Sequence, residues 1–181
     1  MQEKYSRNIE DKRTIAAYAA TLVRPNDFIF LDAGSTTEQL ATYLTEKDAV
    51  YVTNGITLAQ KLAQRGLKTL LLAGRVKATT DAVIGTEAVA SLQHYHFSKG
   101  FFGTNGITVE EGFTTPDIEE AMNKRVAMEH CRKCYVLADA SKFEALSNVS
   151  FGPLSKGVII TAAQEGLNVR SYKQHTEVIV L

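Results

Sequence analysis

The stretch FLDAGSTTEQL, residues 30–40, joins a short apolar run to a pattern of helical period through an acid, a glycine and three hydroxyl residues. Such a loop places the start of a helix at the carboxyl end of a buried strand. The first N–H groups of a helix have no partner inside it, and the helix dipole makes this end positive. The loop therefore suits either a small anion or a helix cap, since serine and threonine are preferred N-cap residues with or without a ligand.

The same alternation of apolar runs and helical stretches continues along the chain, which predicts an α/β fold with a largely parallel sheet. Predicted helices lie at 8–23, 36–44, 55–65 and 87–92, and a further helix follows Pro116. Predicted strands lie at 28–31, 50–52, 69–74, 97–103, 135–138, 158–161 and 177–180. No repeat or linker divides the 181 residues, so a single domain, 1–181, is expected.

The charge balance argues against binding of nucleic acid or anionic lipid by bulk electrostatics. Twenty basic and twenty acidic residues give a formal net charge of zero. The N-terminal stretch MQEKYSRNIEDKR lacks the apolar core of a signal peptide, and no apolar run approaches the ~18 residues of a membrane span. The sequence therefore predicts a cytoplasmic protein without a membrane partner.

Polar residues follow three further predicted strands, at the sheet edge where ligands collect in open α/β folds. They are Thr53 and Asn54 in YVTNG, Gly103 to Gly106 in FFGTNGI, and Asp139, Ser141 and Lys142 in VLADASKF. Each segment alone also suits an ordinary turn. Together they predict a polar cleft. Lys124 is either a solvated lysine or a cation beside that cleft.

Five motifs carry a resemblance to a known family: FLDAGSTT, VTNG, GTNGIT, GFTTPDIEEAMNKR and VLADASKF. In this order and spacing they resemble the C-terminal effector-sensing domain of the DeoR family of bacterial repressors. The resemblance implies a Rossmann-like sheet with helices on both faces, similar to ribose 5-phosphate isomerase and glucosamine-6-phosphate deaminase. It also implies a domain that binds a phosphorylated sugar without converting it and uses no cofactor or metal.

The family's binding residues carry over onto matching positions. Its phosphate loop corresponds to Asp32, Gly34, Ser35, Thr36 and Thr37, and its other pocket segments to Thr53, Asn54, Gly103, Asn105, Gly106, Lys124, Asp139 and Lys142. The sequence most resembles repressors of Gram-positive fructose or lactose phosphotransferase systems. That likeness points to fructose 1-phosphate or tagatose 6-phosphate as the effector.

Members of the family also carry an N-terminal winged helix-turn-helix that binds operator DNA. Residues 1–25 resemble the linker helix that follows it, so the DNA-binding domain is expected to be absent from this chain. Operator DNA would then be a partner only through that domain. Because operator half-sites usually demand a symmetric partner, a homo-oligomer, dimer or tetramer, is expected.

The sequence also departs from the family pattern. Asp81 and Glu144 stand where relatives often have glycine, Leu72 and Ala73 replace a Pro-Gly pair, and Ala162 replaces an aspartate. Arg75 and Lys77 lie in the segment LLAGRVKATTDAVIG, the variable loop, which also contains Leu72, Ala73 and Asp81. Arg75 and Lys77 are each either a cation that discriminates among effectors or a solvated side chain.

Two functional classes, a sensor and an enzyme, remain open from the residues, and a third, a pure oligomerisation module, leaves the DAGSTT loop unexplained. An isomerase-like or deaminase-like enzyme would use Asp139 or Asp32 as a general base beside Lys142, but the predicted cleft holds no histidine, which favours a sensor. Cys131 and Cys134 form a C-x-x-C without a second pair, so two buried thiols are favoured over a metal or redox site. The histidines at positions 94, 96 and 130 are not predicted to bind zinc.

Overall fold

A parallel sheet of seven strands forms the centre of the computed structural model, which describes residues 8–181. The strands in chain order are β1 (Phe28–Leu31), β2 (Val50–Thr53), β3 (Lys68–Leu71), β4 (Arg75–Lys77), β5 (Ala82–Ile84), β6 (Phe97–Gly103), β7 (Gly106–Thr108), β8 (Gly112–Thr115), β9 (Cys131–Leu137), β10 (Val149–Gly152), β11 (Val158–Thr161) and β12 (Val178–Val180). The helices are α1 (Ile9–Ala20), α2 (Ser35–Tyr43), α3 (Ile56–Gln64), α4 (Thr86–Gln93) and α5 (Ile118–Glu129). Short 3-10 turns lie at Ala140–Lys142, Leu154–Lys156 and Tyr172–Gln174.

The strand order of the large sheet places a switch in chain direction at its centre. The order is β12-β11-β9-β6-β1-β2-β3, and every pairing in it is parallel. From β1 the chain moves outward to β2 and β3, and then returns to place β6 on the other side of β1. Ligands of open α/β sheets bind outside the carboxyl ends of the strands at such a point. The predicted α/β fold with a mostly parallel sheet is confirmed.

The two faces of the sheet are buried against different helices. Along β1, Phe30 belongs to one hydrophobic core, whereas Ile29 and Leu31 belong to the other. This is the period of two that a strand imposes on its side chains. Helices α4 and α5 cover the face of Phe30, and α1, α2 and α3 cover the opposite face. The expected helices on both faces are therefore confirmed.

Two small antiparallel sheets lie outside the central one, and the sequence analysis did not predict them as such. Strands β4 and β5 form a hairpin, and β10, β8 and β7 form a three-stranded sheet. Strands of three or four residues carry too little alternation to stand out in a sequence. Strand β9 also begins at Cys131 rather than at residue 135, because Cys131 pairs in register with Phe97 of β6. The first seven residues of the predicted linker helix lie outside the described residues.

We expect Gly100→Ala to destabilise the fold by about 2 kcal/mol through overpacking. A Cβ at Gly100, within β6, would lie 2.5 Å from the Phe102 ring and 2.6 Å from Cys131 Sγ. Gly66→Ala is the control, since Gly66 has open space around it but a φ of +72°, which costs an alanine about 1 kcal/mol. Urea unfolding of both variants tests this. A Gly100→Ala loss no larger than that of the control would contradict it.

Candidate effector-binding site

A polar cavity of about 390 Å³ lies at the carboxyl edge of the sheet, beside the switch between β1 and β6. Eight of the predicted binding residues line it: Gly34, Ser35, Thr36, Gly103, Asn105, Lys124, Asp139 and Lys142. They come from the segments that follow β1, β6 and β9, and from α5. The structure thus brings together residues more than 100 positions apart in the sequence.

The loop after β1 is held in shape by its own backbone and by Asn54. Thr37 Oγ1 donates to the carbonyl oxygens of Asp32 and Gly34, at 2.6 and 2.8 Å. Asn54 Oδ1 accepts a hydrogen bond of 2.8 Å from Ala33 N. Helix α2 then begins at Ser35, with Gly34 at the N-cap position, which offers no side chain to cap it. The positive end of α2 therefore points its first N–H groups toward the cavity rim.

A buried ion pair joins the two strands of the switch to α5. Lys124 Nζ donates to Asp32 Oδ2 and to the carbonyl oxygen of Gly103, the latter at 3.0 Å. Gly103 N also donates to Asp32 Oδ2, at 3.0 Å. Burial raises the pKa of Asp32, and the charge of Lys124 and the Gly103 N–H only partly oppose it, so this pKa lies above its ordinary value. The pair fixes the floor of the cavity.

A second carboxylate, Asp139, lies in the cavity wall after β9. Its Oδ1 accepts hydrogen bonds from Ser141 N at 3.0 Å and from Asn8 Nδ2 at 2.9 Å. Burial raises the pKa of Asp139, but the hydrogen bonds from Ser141 and Asn8 and the nearby charge of Lys142 outweigh it and hold the pKa below its usual range. Asp139 therefore presents a negative charge to the cavity at neutral pH.

Five predicted residues lie behind the cavity wall instead of lining it: Asp32, Thr37, Thr53, Asn54 and Gly106. Asp32, Thr37 and Asn54 hold the neighbouring loops through the hydrogen bonds given above. Thr53 Oγ1 accepts a hydrogen bond from Gly55 N at 3.0 Å. Gly106 is required by packing, because a Cβ there would collide with the carbonyl oxygen of Ala145. These residues shape the site from behind.

Six further residues line the cavity that the sequence analysis did not place among the binding residues: Lys12, Ala33, Thr80, Thr104, Glu120 and Leu137. Thr104 belongs to the FFGTNGI segment that predicted the polar cleft, and Ala33 lies between Asp32 and Gly34, which were both predicted. Glu120 lies on α5 one turn before the predicted Lys124, so that residue could have indicated it. Only tertiary packing brings Lys12 of α1 and Thr80 of the β4–β5 hairpin to this edge. The lining then holds three lysines and two carboxylates, Lys12, Lys124 and Lys142 with Glu120 and Asp139.

The β4–β5 hairpin is clamped to the start of α5 by ion pairs. Lys77 Nζ lies 2.8 Å from Asp117 Oδ2 and 2.9 Å from Glu120 Oε1. Arg75 Nη2 lies 2.6 Å from Glu119 Oε2. Both cations of the variable loop are thus engaged by α5 and do not line the cavity. Burial lowers the pKa of Lys77, but its hydrogen bonds to the two carboxylates outweigh it and raise this pKa.

Comparison with known proteins identifies the family. The model of the DeoR C-terminal sensor domain matches residues 7–162. The chain belongs to this family. It is 41% identical over 182 residues to the uncharacterized HTH-type transcriptional regulator FruR of Bacillus subtilis (strain 168), covering 100% of this chain and 72% of that protein. It is 35% identical over 182 residues to the lactose phosphotransferase system repressor of Streptococcus mutans, covering 98% and 72%.

A solved structure supports the fold. Ribose 5-phosphate isomerase A from Neisseria gonorrhoeae superimposes with a TM-score of 0.54 at 16% identity, covering 76% of this chain and 54% of that chain. The chain thus spans about half the length of this isomerase structure. At this identity the likeness concerns the fold alone. The expected fold resemblance to the isomerase is confirmed, whereas the resemblance to the deaminase stays a prediction.

Two departures from the family pattern keep the backbone conformation that glycine favours. Asp81 and Glu144 have φ values of 57° and 56°, in the left-handed region. Asp81 Oδ2 accepts from Thr57 N at 2.9 Å, near the start of α3, and Glu144 Oε1 accepts from Tyr172 OH at 2.7 Å. Each side chain thus gains a contact that glycine would lack.

The described residues contain no group of three or more histidine, cysteine, aspartate or glutamate side chains placed to hold a metal ion. Cys131 and Cys134 are free thiols, Cys134 buried and Cys131 partly so. Within residues 8–181, no helix is long and apolar enough to cross a membrane.

Lys124→Met should destabilise the protein by about 3 kcal/mol, because it leaves Asp32 buried without its cation. The charge and hydrogen bond of Lys124 oppose the raised pKa of Asp32, so this pKa should rise further in the variant. The folded variant then takes up a proton at a higher pH than the folded wild type does, and the loss should shrink as pH falls from 8 toward 4. Urea unfolding across this range measures it. Asp32→Asn in the same chain should restore part of the stability, and Lys142→Met is the matched cavity control. An equal loss at every pH would contradict the expectation.

Lys77→Met should cost about 1 kcal/mol at pH 7 by releasing the hairpin from α5. The hydrogen bond from Lys77 holds the pKa of Asp117 in the folded protein below its ordinary value. The stability that this bond contributes is therefore fully present above the pKa of Asp117 in the unfolded chain, and it is lost as pH falls through the lower pKa of the folded state. The difference from wild type should therefore fade below about pH 4. Lys68→Met removes an exposed pair with Asp48 and is the control. Comparable losses in both variants would count against the clamp.

Proposed function

We propose that this chain is the single sugar-phosphate-sensing domain of a DeoR-family repressor. In this proposal a phosphorylated sugar of the fructose 1-phosphate or tagatose 6-phosphate type binds in the cavity and controls operator binding by a winged helix-turn-helix domain outside this chain. The observation that carries the proposal is the start of α2, which has glycine at its N-cap and meets a cavity lined by three lysines. Such a helix end is a ready site for phosphate.

The donors at this end suit a phosphate monoester. Its three oxygens need several hydrogen bonds at once, and the hydroxyls of Ser35 and Thr36 lie beside the first N–H groups of α2. The alternative of a Ser/Thr cap loses support, since Gly34 holds the N-cap position and Thr37 binds carbonyl oxygens instead of N–H groups. A lysine ammonium adds the positive charge that a dianion needs.

The opposite wall suits a sugar. Asp139 and Glu120 offer carboxylate oxygens, and Thr104 and Asn105 offer a hydroxyl and an amide. Sugar hydroxyls donate and accept, so mixed polar groups of this kind fit them. The similarity to a lactose phosphotransferase system repressor also favours a role in sugar metabolism.

The catalytic alternative has less support from the geometry. Asp32 lies outside the lining, and its Oδ2 already accepts from Lys124 and Gly103 N. Asp139 lines the cavity, where its Oδ1 accepts from Ser141 and Asn8, so it is the predicted base that could reach a substrate proton. Among the described residues that line the cavity, however, there is no histidine to act as the acid that opens a sugar ring. We therefore expect the bound sugar phosphate to leave unchanged.

Control of DNA binding adds requirements beyond the site. The effector must have different affinities for the operator-binding and released arrangements, because equal affinity shifts no equilibrium. The proposal includes a homo-oligomer, dimer or tetramer, in the cytoplasm. It involves no cofactor and no membrane.

Calorimetric titration with fructose 1-phosphate, fructose 6-phosphate, tagatose 6-phosphate and inorganic phosphate tests the function. Each mixture is then analysed for converted sugar. Saturable binding of one sugar phosphate that is recovered unchanged supports a sensor. Turnover would make the chain an enzyme, and the absence of binding to all four compounds would refute the proposed effector class.

Ser35→Glu should abolish this binding, at least 100-fold in affinity, because a carboxylate at the start of α2 repels the phosphate. Thr42→Glu adds the same charge near the far end of the same helix, outside the cavity lining, and should leave the affinity within about 3-fold. Calorimetry on both variants decides the point. Unchanged affinity of Ser35→Glu would remove the phosphate from this loop.

A further inference from the structure

The carboxylate of Glu120 lies in the wall of the cavity and is held by the β4–β5 hairpin. Its Oε1 accepts hydrogen bonds from Lys77 Nζ at 2.9 Å and from Thr80 Oγ1 at 2.8 Å. The Glu120 side chain is 14% exposed, and both Glu120 and Thr80 line the cavity. Within residues 8–181, both side-chain hydrogen bonds that reach this carboxylate end on Oε1. Since a carboxylate accepts on both oxygens, Oε2 is the atom that can accept from a ligand.

The hairpin that carries Thr80 is anchored on its other strand as well. Val83 N donates to the carbonyl oxygen of Asn54 at 2.6 Å, and Asn123 Nδ2 of α5 donates to the carbonyl oxygen of Val83 at 2.8 Å. The hairpin is therefore bonded both to the loop after β2 and to the helix that carries Glu120. An acceptor held in this way is preorganised, so a ligand with a donor at that position binds it without an ordering cost.

The charges around the cavity leave no cation for a second phosphate. The three lysines of the lining are opposed by three carboxylates, two in the lining and one behind it: Lys12, Lys124 and Lys142 with Glu120, Asp139 and Asp32. Next to Glu120, Lys77 is shared with a further carboxylate, that of Asp117. The positive end of α2 is available to one phosphate. A second phosphate would have to approach fixed carboxylates.

The charge of Glu120 also acts across the floor of the cavity. Burial is the main cause of the raised pKa of Asp32, and the charge of Glu120 raises this pKa further. A ligand group beside Glu120 meets the same negative charge. A sugar hydroxyl can donate a hydrogen bond to it, whereas a phosphate at neutral pH brings acceptor oxygens and close to two negative charges. The position therefore favours a hydroxyl and disfavours a phosphate.

We propose that Glu120 determines the specificity of the cavity: its carboxylate, positioned by Lys77 and Thr80, accepts a hydrogen bond from a sugar hydroxyl and disfavours ligands with a second phosphate. The cavity then takes sugar monophosphates and rejects the corresponding bisphosphates. Lys77 acts on the effector through Glu120 and is a positioning residue. The inference rests on the proposed function and deepens it by naming the residue that selects among phosphorylated sugars.

Titration of the wild-type chain tests the selection without any variant. The best-bound of the three sugar monophosphates above is compared, at constant ionic strength, with fructose 1,6-bisphosphate or, for tagatose 6-phosphate, with tagatose 1,6-bisphosphate. The bisphosphate should bind about 30-fold more weakly. A bisphosphate that binds as tightly as the monophosphate, or more tightly, would overturn the proposal and leave the sensor function standing. A wild-type chain that binds none of the four compounds would refute the proposed function itself, and this inference with it.

Glu120→Gln tests the residue, because it keeps the shape of the side chain and removes its charge. The ratio of monophosphate to bisphosphate affinity should fall about 10-fold, since a second phosphate no longer meets a carboxylate there. Glu119→Gln is the matched control, as it removes the same charge from the preceding residue, whose pair with the exposed Arg75 lies outside the cavity lining. Its ratio should stay within about 3-fold of wild type. Equal ratios in the two variants would overturn the proposal.

Thr80→Val tests the positioning, because it keeps the size of the side chain and removes the hydroxyl that donates to Glu120. Affinity for the monophosphate should weaken about 3-fold, the effect of one hydrogen bond. Thr80→Ser keeps the hydroxyl and should restore the wild-type affinity. Thr80→Val binding as tightly as Thr80→Ser would overturn the positioning of Glu120 by the hairpin.

Discussion

The ion pair between Lys124 and Asp32 is the constraint on which the rest of the site depends. It lies at the switch of the sheet, where β1 and β6 part to form a crevice. Because Lys124 also donates to Gly103, one ammonium group fixes the ends of both strands and the position of α5. Helix α5 in turn carries the carboxylates that hold the β4–β5 hairpin. A buried charge is costly alone, so any arrangement of these elements that separated Lys124 from Asp32 would be strongly destabilised.

The proposed function requires this cavity to bind a ligand and not to convert it. The two carboxylates of the cavity, Asp139 and Glu120, each accept hydrogen bonds from other parts of the protein. The N-terminus of α2, in contrast, has Gly34 at the N-cap position and no side-chain cap. Carboxylates held in this way have a fixed direction, which suits recognition of sugar hydroxyls in the proposed function. The likeness to an isomerase therefore concerns the scaffold, and the residues in the cavity decide its use.

The sequence predicted the parts of this structure that depend on local pattern. Apolar runs and helical periods located the central strands and all five helices, and residues at strand ends such as Gly34, Asn105 and Asp139 do line the cavity. Lys12 and Thr80 were not predicted because packing, and not sequence neighbourhood, brings them to the edge, whereas Glu120 lies one helical turn before the predicted Lys124 and could have been inferred from it. Asp32 and Asn54 were predicted as ligand contacts but lie behind the wall, since a motif does not state which way its side chains face.

Under the proposed function, specificity and response depend on the same contacts in this cavity. Glu120 Oε1 accepts from Lys77 of the hairpin and from Thr80, at 2.9 and 2.8 Å, and Asp139 accepts from Asn8 before α1. A sugar hydroxyl that bonds to either carboxylate must share it with a partner from another element. Ligands that place hydroxyls differently would then bias the hairpin or α1 to different degrees. Under the proposed function this coupling is reciprocal: if the sugar phosphate changes the affinity for operator DNA by some factor, operator DNA must change the affinity for the sugar phosphate by the same factor.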